Sequence, residues 1–125
     1  SVTGGGTGIG RACAAALAAD GAVVTICGRT EATLAESQEV IEPGHGGSVG
    51  YVVADVTDES SVQVAVGAAV EAAGNLAGVV ANAGGGGGMG PYHVQDTDEF
   101  LRVLHLNVLG TMLCVKHAVP HLVAN

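Results

Sequence analysis

Five of the seven residues from Gly4 to Gly10 are glycine, in the stretch Thr3-Gly-Gly-Gly-Thr-Gly-Ile-Gly-Arg-Ala12. A run this dense is either a flexible linker or a loop whose backbone must approach another group closely, because only glycine combines free φ with no Cβ. The flanks decide between the two. Ser1-Val2-Thr3 reads as the tail of a β-strand whose first residues are missing, and an apolar helical period follows at Ile9, Cys13, Ala16 and Leu17, closed by Asp20-Gly21. A glycine-rich turn from strand into helix is the first βα turn of a parallel α/β sheet. There the free N–H groups at the helix N-terminus face a phosphate, and side chains would only obstruct it.

The remaining residues continue the alternation. Ala22–Cys27 is β-rich, a weaker helix runs from about Thr30 to the stop at Pro43-Gly44, and Ser48–Asp55 is the next strand. Thr57-Asp58-Glu59 opens a helix with a capping residue and acids in its first turn; its inner face is Val62, Val66, Ala69, Val70 and Ala73, and Gly74 ends it. Leu76–Asn82 reads as a fourth strand. The glycine run Gly84–Gly88 leads to Asp96 and Glu99, which resemble a capping box before a long helical tract. This order predicts right-handed βαβ units and a doubly wound parallel sheet, an α/β/α three-layer, Rossmann-like arrangement. Residues 1–125 form one dinucleotide-binding domain, expected to be truncated at both ends.

Composition narrows the functional classes. The net charge of −8 excludes a general role on nucleic acid, which needs clustered Lys and Arg. The apolar residues are mostly Ala and Val, with one Phe, two Tyr and no Trp, so the core must bring backbones close together. Cys13, Cys27 and Cys114 lack metal or redox spacing and read as core fillers suited to a reducing cytosol. No uninterrupted apolar run reaches the ~18 residues of a membrane helix, and no signal peptide is visible, so a cytoplasmic location with no membrane partner is expected.

The loop spacing is Gly4-x-x-x-Gly8-x-Gly10 after Thr3, not G-x-G-x-x-G. A structural turn and a methyltransferase loop are the competing readings of glycines alone. With its neighbours the loop resembles the cofactor loop of the short-chain dehydrogenases/reductases. Asp55-Val56 resembles that family's adenine contact, Ala81-Asn82-Ala83-Gly84 its N-N-A-G signature with Ala81 in place of the first Asn, and His105–Thr111 the helix that carries its catalytic Asn. The resemblance implies that Gly4, Gly6, Thr7, Gly8 and Ile9 line the cofactor and that Asp55 accepts from the adenine amino group. It further implies that the Val56 backbone pairs with the ring, and that Asn82, Ala83 and Gly84 lie under the riboses.

At the end of the second strand, where an NAD-binding domain usually carries a carboxylate for the ribose 2′-OH, the sequence has Gly28, then Arg29 and Thr30. A guanidinium grips a 2′-phosphate, whereas a carboxylate repels it, so NADP(H) is expected over NAD(H). The bland reading of Arg29 is a solvated loop charge. The same residues argue against a methyltransferase, which expects an acid there.

Of the family's Asn-Ser-Tyr-Lys set only Asn107 is present; its main-chain carbonyl is implied to hold a water in the proton relay. Neither Tyr51 nor Tyr92 is followed four residues later by Lys, and no Ser follows Ser61. The missing residues are expected beyond Asn125. The resemblance therefore implies an oxidoreductase interconverting a small-molecule carbonyl and an alcohol, of the 3-oxoacyl reductase type or related, forming a homo-oligomer (tetramer or dimer). A non-catalytic NAD(P)-binding sensor on the same fold is the alternative. His117 and His121 have metal-compatible helical spacing but no third ligand, so they read as a helix-face pair and no metal is expected. Met89 and Tyr92, in the loop that borders the substrate in the family, are candidates for shaping the site.

Overall fold

A computed structural model describes residues 1–88 and 90–124. Strands β1 (Val2–Thr3), β2 (Val23–Gly28) and β3 (Ser48–Val53) form a parallel sheet in that order, with Val2 opposite Ile26 and Val23 opposite Ser48. Helices α1 (Gly8–Ala19) and α2 (Glu31–Val40) cover one face, and α3 (Glu59–Ala73) covers the other. The alternation along β2 builds both layers: Val24 and Ile26 join Ala14, Ala18 and Leu34, while Cys27 joins Ala54 and Ala65. The three-layer, doubly wound arrangement expected from the element order is present.

The last helical tract consists of α4 (Thr97–Leu104), a π-helical turn (His105–Leu109) and α5 (Gly110–Leu122). Its inner face, Leu113, Cys114 and Ala118, packs on Val62, Val66 and Ala69 of α3. Gly110 permits this approach, since a Cβ there would lie 2.7 Å from Val56 Cγ2. The 26-residue helix is long and apolar enough to cross a membrane, a test that core helices also pass. It carries Asp98, Glu99, Arg102 and Lys116 along its length.

Several expectations need correction. Leu76–Asn82 forms no ladder among the described residues and contributes one bridge, Val2 with Val80. It is nonetheless strand-like: the Val80 N–H donates to the Ser1 carbonyl (2.8 Å) and the Thr3 N–H to the Val80 carbonyl (3.0 Å). Its neighbour offers only Ser1, Val2 and Thr3, too few for a longer ladder. The inner face of α1 is Gly10, Ala14 and Ala18; of the predicted residues Cys13 packs half-buried against this core, while Ala16 and Leu17 are exposed and Ile9 is 75% exposed. The helix lies so close to the sheet that only small side chains fit between them. β3 is only half-buried because it is the edge of the sheet. On α3, Ala65 is buried and Ala73 exposed.

Helix ends follow local chemistry. Asp58 caps α3 through the Ser60 N–H (3.1 Å), and Gly74 ends it at φ +78. Asp96 caps α4 through the Glu99 N–H (2.9 Å). The Glu99 carboxylate turns to Arg102 (2.7 Å) instead of back to Asp96, so only half of the capping box forms.

Candidate functional site

The predicted cofactor residues converge at the carboxyl ends of the strands, where α/β sheets bind ligands. Gly4 and Gly8 adopt left-handed φ values of +66 and +51, which non-glycine residues resist. Thr7 is extended and makes no side-chain cap, and no acid occupies the first turn of α1. Thr7, Gly8 and Ile9 are exposed, and the space in front of Gly8 is open. The helix start therefore presents uncapped N–H groups and the positive end of its dipole to solvent, a cradle for an anion. Ile9 belongs to this open rim.

Thr3 ties the loop to the segment after Leu76. Its hydroxyl accepts the N–H groups of Asn82 (2.9 Å) and Ala83 (2.9 Å), and the Asn82 Nδ2 donates to the Thr3 carbonyl (3.1 Å). Asn82 thus lies against the back of the loop. A Cβ on Gly4 would come within 2.9 Å of its Nδ2, and one on Gly10 within 2.7 Å, as well as striking the Gly4 carbonyl. Glycine at these positions is a packing demand of Asn82 as much as a demand of a ligand. The motif by itself gives Thr3 no role; a hydroxyl at a strand end beside a glycine loop is the signal that identifies it.

Arg29 and Asp55 meet at an open cleft of about 440 Å³, with Thr57, Arg102 and His105 on its walls. The Asp55 carboxylate accepts from the Thr57 N–H (2.9 Å) and hydroxyl (2.7 Å), which hold it below its ordinary value, and the nearby Arg29 adds a weaker pull. Arg29 is exposed and makes no hydrogen bond among the described residues. Gly28 needs no glycine for steric reasons, since a Cβ there meets Leu34 Cδ2 at an ordinary 3.6 Å. Thr30 precedes α2 in extended conformation with its hydroxyl unused as a cap. The Val56 side chain is buried under Gly110, which leaves only its backbone for a ligand.

Asn107 sits in the π-turn and braces the glycine run. Its Nδ2 donates to the Gly85 carbonyl (2.7 Å) and its Oδ1 accepts the Gly85 N–H (3.1 Å), a two-way bridge that places Gly84 against it. Its main-chain carbonyl accepts from the Thr111 hydroxyl (3.0 Å). A π-turn disrupts the regular helix ladder, and such turns recur at functional sites. Tyr92 is 84% exposed on a short turn beside Gln95, Asp96 and Phe100, outside this constellation; Met89 lies outside the described residues. His117 is engaged by Glu59 (2.8 Å), which also binds Lys116 (2.6 Å). Among the described residues, no three His, Cys, Asp or Glu are grouped to hold a metal ion.

The arrangement fits a dinucleotide: an anion cradle at the α1 N-terminus, a free guanidinium and a carboxylate in the adjoining cleft, and an Asn on the far side of the glycine run. Solved structures with the same fold cover nearly the whole of this chain. A short-chain type dehydrogenase/reductase from Mycobacterium ulcerans superposes with a TM-score of 0.94 at 42% identity, over 98% of this chain and 46% of the other. An NAD+-bound xylitol dehydrogenase gives 0.91 at 29% identity, over 98% of this chain and 47% of the other. An alcohol dehydrogenase from the archaeon Thermococcus sibiricus, complexed with 5-hydroxy-NADP, gives 0.87 at 30%, over 97% of this chain and 51% of the other. The chain spans about half the length of the curated relatives it matches. The short chain dehydrogenase family model matches residues 1–125 throughout. A match over this whole length settles the family: this chain belongs to the short-chain dehydrogenases.

Proposed function

We propose that the full-length protein is an NADP(H)-dependent oxidoreductase that interconverts a carbonyl and an alcohol on a small molecule, of the 3-oxoacyl reductase type or a relative of it. The observation that carries the cofactor choice is Arg29, an exposed guanidinium without a hydrogen bond among the described residues, in the cleft at the end of β2, where Gly28 stands in place of the carboxylate that would repel a 2′-phosphate. Bound at this site, the nicotinamide supplies or accepts the hydride. The chain's own residues bind and orient. The N–H groups at the start of α1 neutralise the pyrophosphate, Arg29 and Thr30 take the 2′-phosphate, and Asp55 with the Val56 backbone takes the adenine. Asn82, Ala83 and Gly84 bear the riboses, and Asn107 offers its main-chain carbonyl to the proton relay.

A cytoplasmic homo-oligomer is part of this reading. The exposed apolar stripe of Phe100, Leu104, Val108, Met112, Val115 and Val119 on the long helix supports self-association. The test is titration of both cofactors into the full-length protein and its Arg29→Ala variant. A bidentate charged contact predicts that NADP(H) binding weakens by about 10-fold or more while NAD(H) binding changes little. Equal affinity of the parent for both cofactors refutes the preference; binding without turnover of any carbonyl or alcohol favours a sensor.

A further inference from the structure

The glycine loop is gripped from behind as well as opened in front. The Gly6 carbonyl oxygen lies within hydrogen-bond reach of three donors: Arg11 Nη2 (2.7 Å), Arg11 Nε (3.2 Å) and Ser37 Oγ (2.9 Å). Ser37, on α2, is wholly buried; its hydroxyl accepts from Arg11 Nε (2.7 Å) and its one proton is shared between the carbonyls of Gly6 (2.9 Å) and Thr33 (2.8 Å), so Arg11 is the main donor to Gly6. Arg11 Nη1 pairs with Glu36 at 3.0 Å. The contact with α2 is tight, since a Cβ on Gly6 would lie 2.7 Å from Thr33 Oγ1.

This grip has a directional consequence. No peptide bond in the described chain is cis. In a trans peptide the carbonyl of one residue and the N–H of the next point in opposite directions. Drawing the Gly6 oxygen inward onto Arg11 and Ser37 therefore turns the Thr7 N–H outward, to the side where Thr7, Gly8 and Ile9 are exposed. That N–H has no acceptor among the described residues. The charge is arranged to suit. A guanidinium near the start of α1 opposes the helix dipole, but Arg11 folds back onto Glu36, so the pair is close to neutral behind the loop.

We propose that Arg11 and Ser37 are positioning residues for diphosphate binding: acting through the Gly6 carbonyl, they fix the Gly6–Thr7 peptide plane so that the Thr7 N–H is presented to the anion. This rests on the nucleotide reading of the loop given above. The test uses the full-length protein and its Arg11→Leu, Arg11→Lys and Ser37→Ala variants, with NADP+, inorganic pyrophosphate and adenosine 2′-monophosphate as probes. Arg11→Leu and Ser37→Ala weaken NADP+ and pyrophosphate by about tenfold, the weight of an oriented hydrogen bond to a charged group, and leave the monophosphate nearly unchanged. Arg11→Lys recovers part of the loss. In the parent, pyrophosphate shifts the Thr7 amide resonance.

Equal loss across all three probes, or undiminished pyrophosphate binding in folded variants, overturns the proposal. If the variants do not fold, the parent alone decides, because a Thr7 amide that ignores pyrophosphate also overturns it. A parent that binds pyrophosphate at Thr7 but neither NADP(H) nor NAD(H) refutes the proposed function while leaving the positioning role in place.

Discussion

Replacing Thr3 with valine removes a hydroxyl at constant shape, and the structure determines what each former partner loses. The Val80 carbonyl loses little. It keeps the N–H groups of Thr3 (3.0 Å) and Asn82 (3.0 Å), and the Thr3 hydroxyl was a distant third donor at 3.4 Å. The Asn82 N–H, shared between the Thr3 hydroxyl (2.9 Å) and the Val80 carbonyl (3.0 Å), keeps the second. The Ala83 N–H has no other partner among the described residues and becomes an orphan. One half-buried donor left unsatisfied costs about 1–2 kcal/mol, in the lower part of the range for such groups. Urea unfolding of the full-length protein should show a lower midpoint with unchanged slope, and Thr3→Ser should recover most of the difference. Because Ala83 is assigned to the ribose side of the site, dinucleotide affinity should fall in parallel. A Thr3→Val protein that matches its parent in both midpoint and affinity would refute the clamp.

Other substitutions probe the remaining supports. Gly10→Ala drives a Cβ into the Gly4 carbonyl and Asn82 Nδ2, so a loss of about 3 kcal/mol or an insoluble product is expected on expression and unfolding. Asn107→Ala breaks the two-way bridge to Gly85; hydrogen exchange at the Gly85 amide should quicken about tenfold, with a stability loss under about 1 kcal/mol because the bridge is exposed. Lys116 and His117 hold the Glu59 carboxyl below its ordinary 4.5, so its contribution is complete above that value and is lost as pH falls through the lower folded one. Thermal melts should therefore separate Glu59→Gln from its parent at about pH 7 and draw together as the pH falls below 4.5.

What the sequence reveals divides along a physical line. Positions fixed by backbone geometry, such as Gly4, Gly8 and Gly74, are readable because so few residues tolerate those φ values. The Asp58 and Asp96 caps are readable because the partner N–H lies at a fixed offset. The inner face of α1 is not, because apolar periodicity favours large side chains, and the tightest packing here uses Gly10, Ala14 and Ala18. The clamps are also hidden. Thr3 and Ser37 act on residues distant in sequence, Arg11 reaches back five residues to Gly6 with no fixed helical offset to mark it, and an isolated Thr, Arg or Ser carries no period. Nothing in His105–Leu109 announces a π-turn, since the same residues suit an ordinary helix.

That π-turn fixes a phase relation between two halves of one helix. An α-helix advances about 100° per residue, so one extra residue accommodated in a wider turn rotates everything beyond it by about that angle. Upstream, Arg102 reaches the glycine run at Gly86, and Asn107, within the turn, reaches it at Gly85; downstream, Leu113, Cys114 and Ala118 face α3. A regular helix of the same length would turn Leu113, Cys114 and Ala118 away from α3 while Arg102 still reached Gly86. Deleting a single residue within His105–Leu109 other than Asn107 removes the extra residue together with the wide turn and keeps the two facings in phase, so such a deletion should be better tolerated there than elsewhere along the long helix.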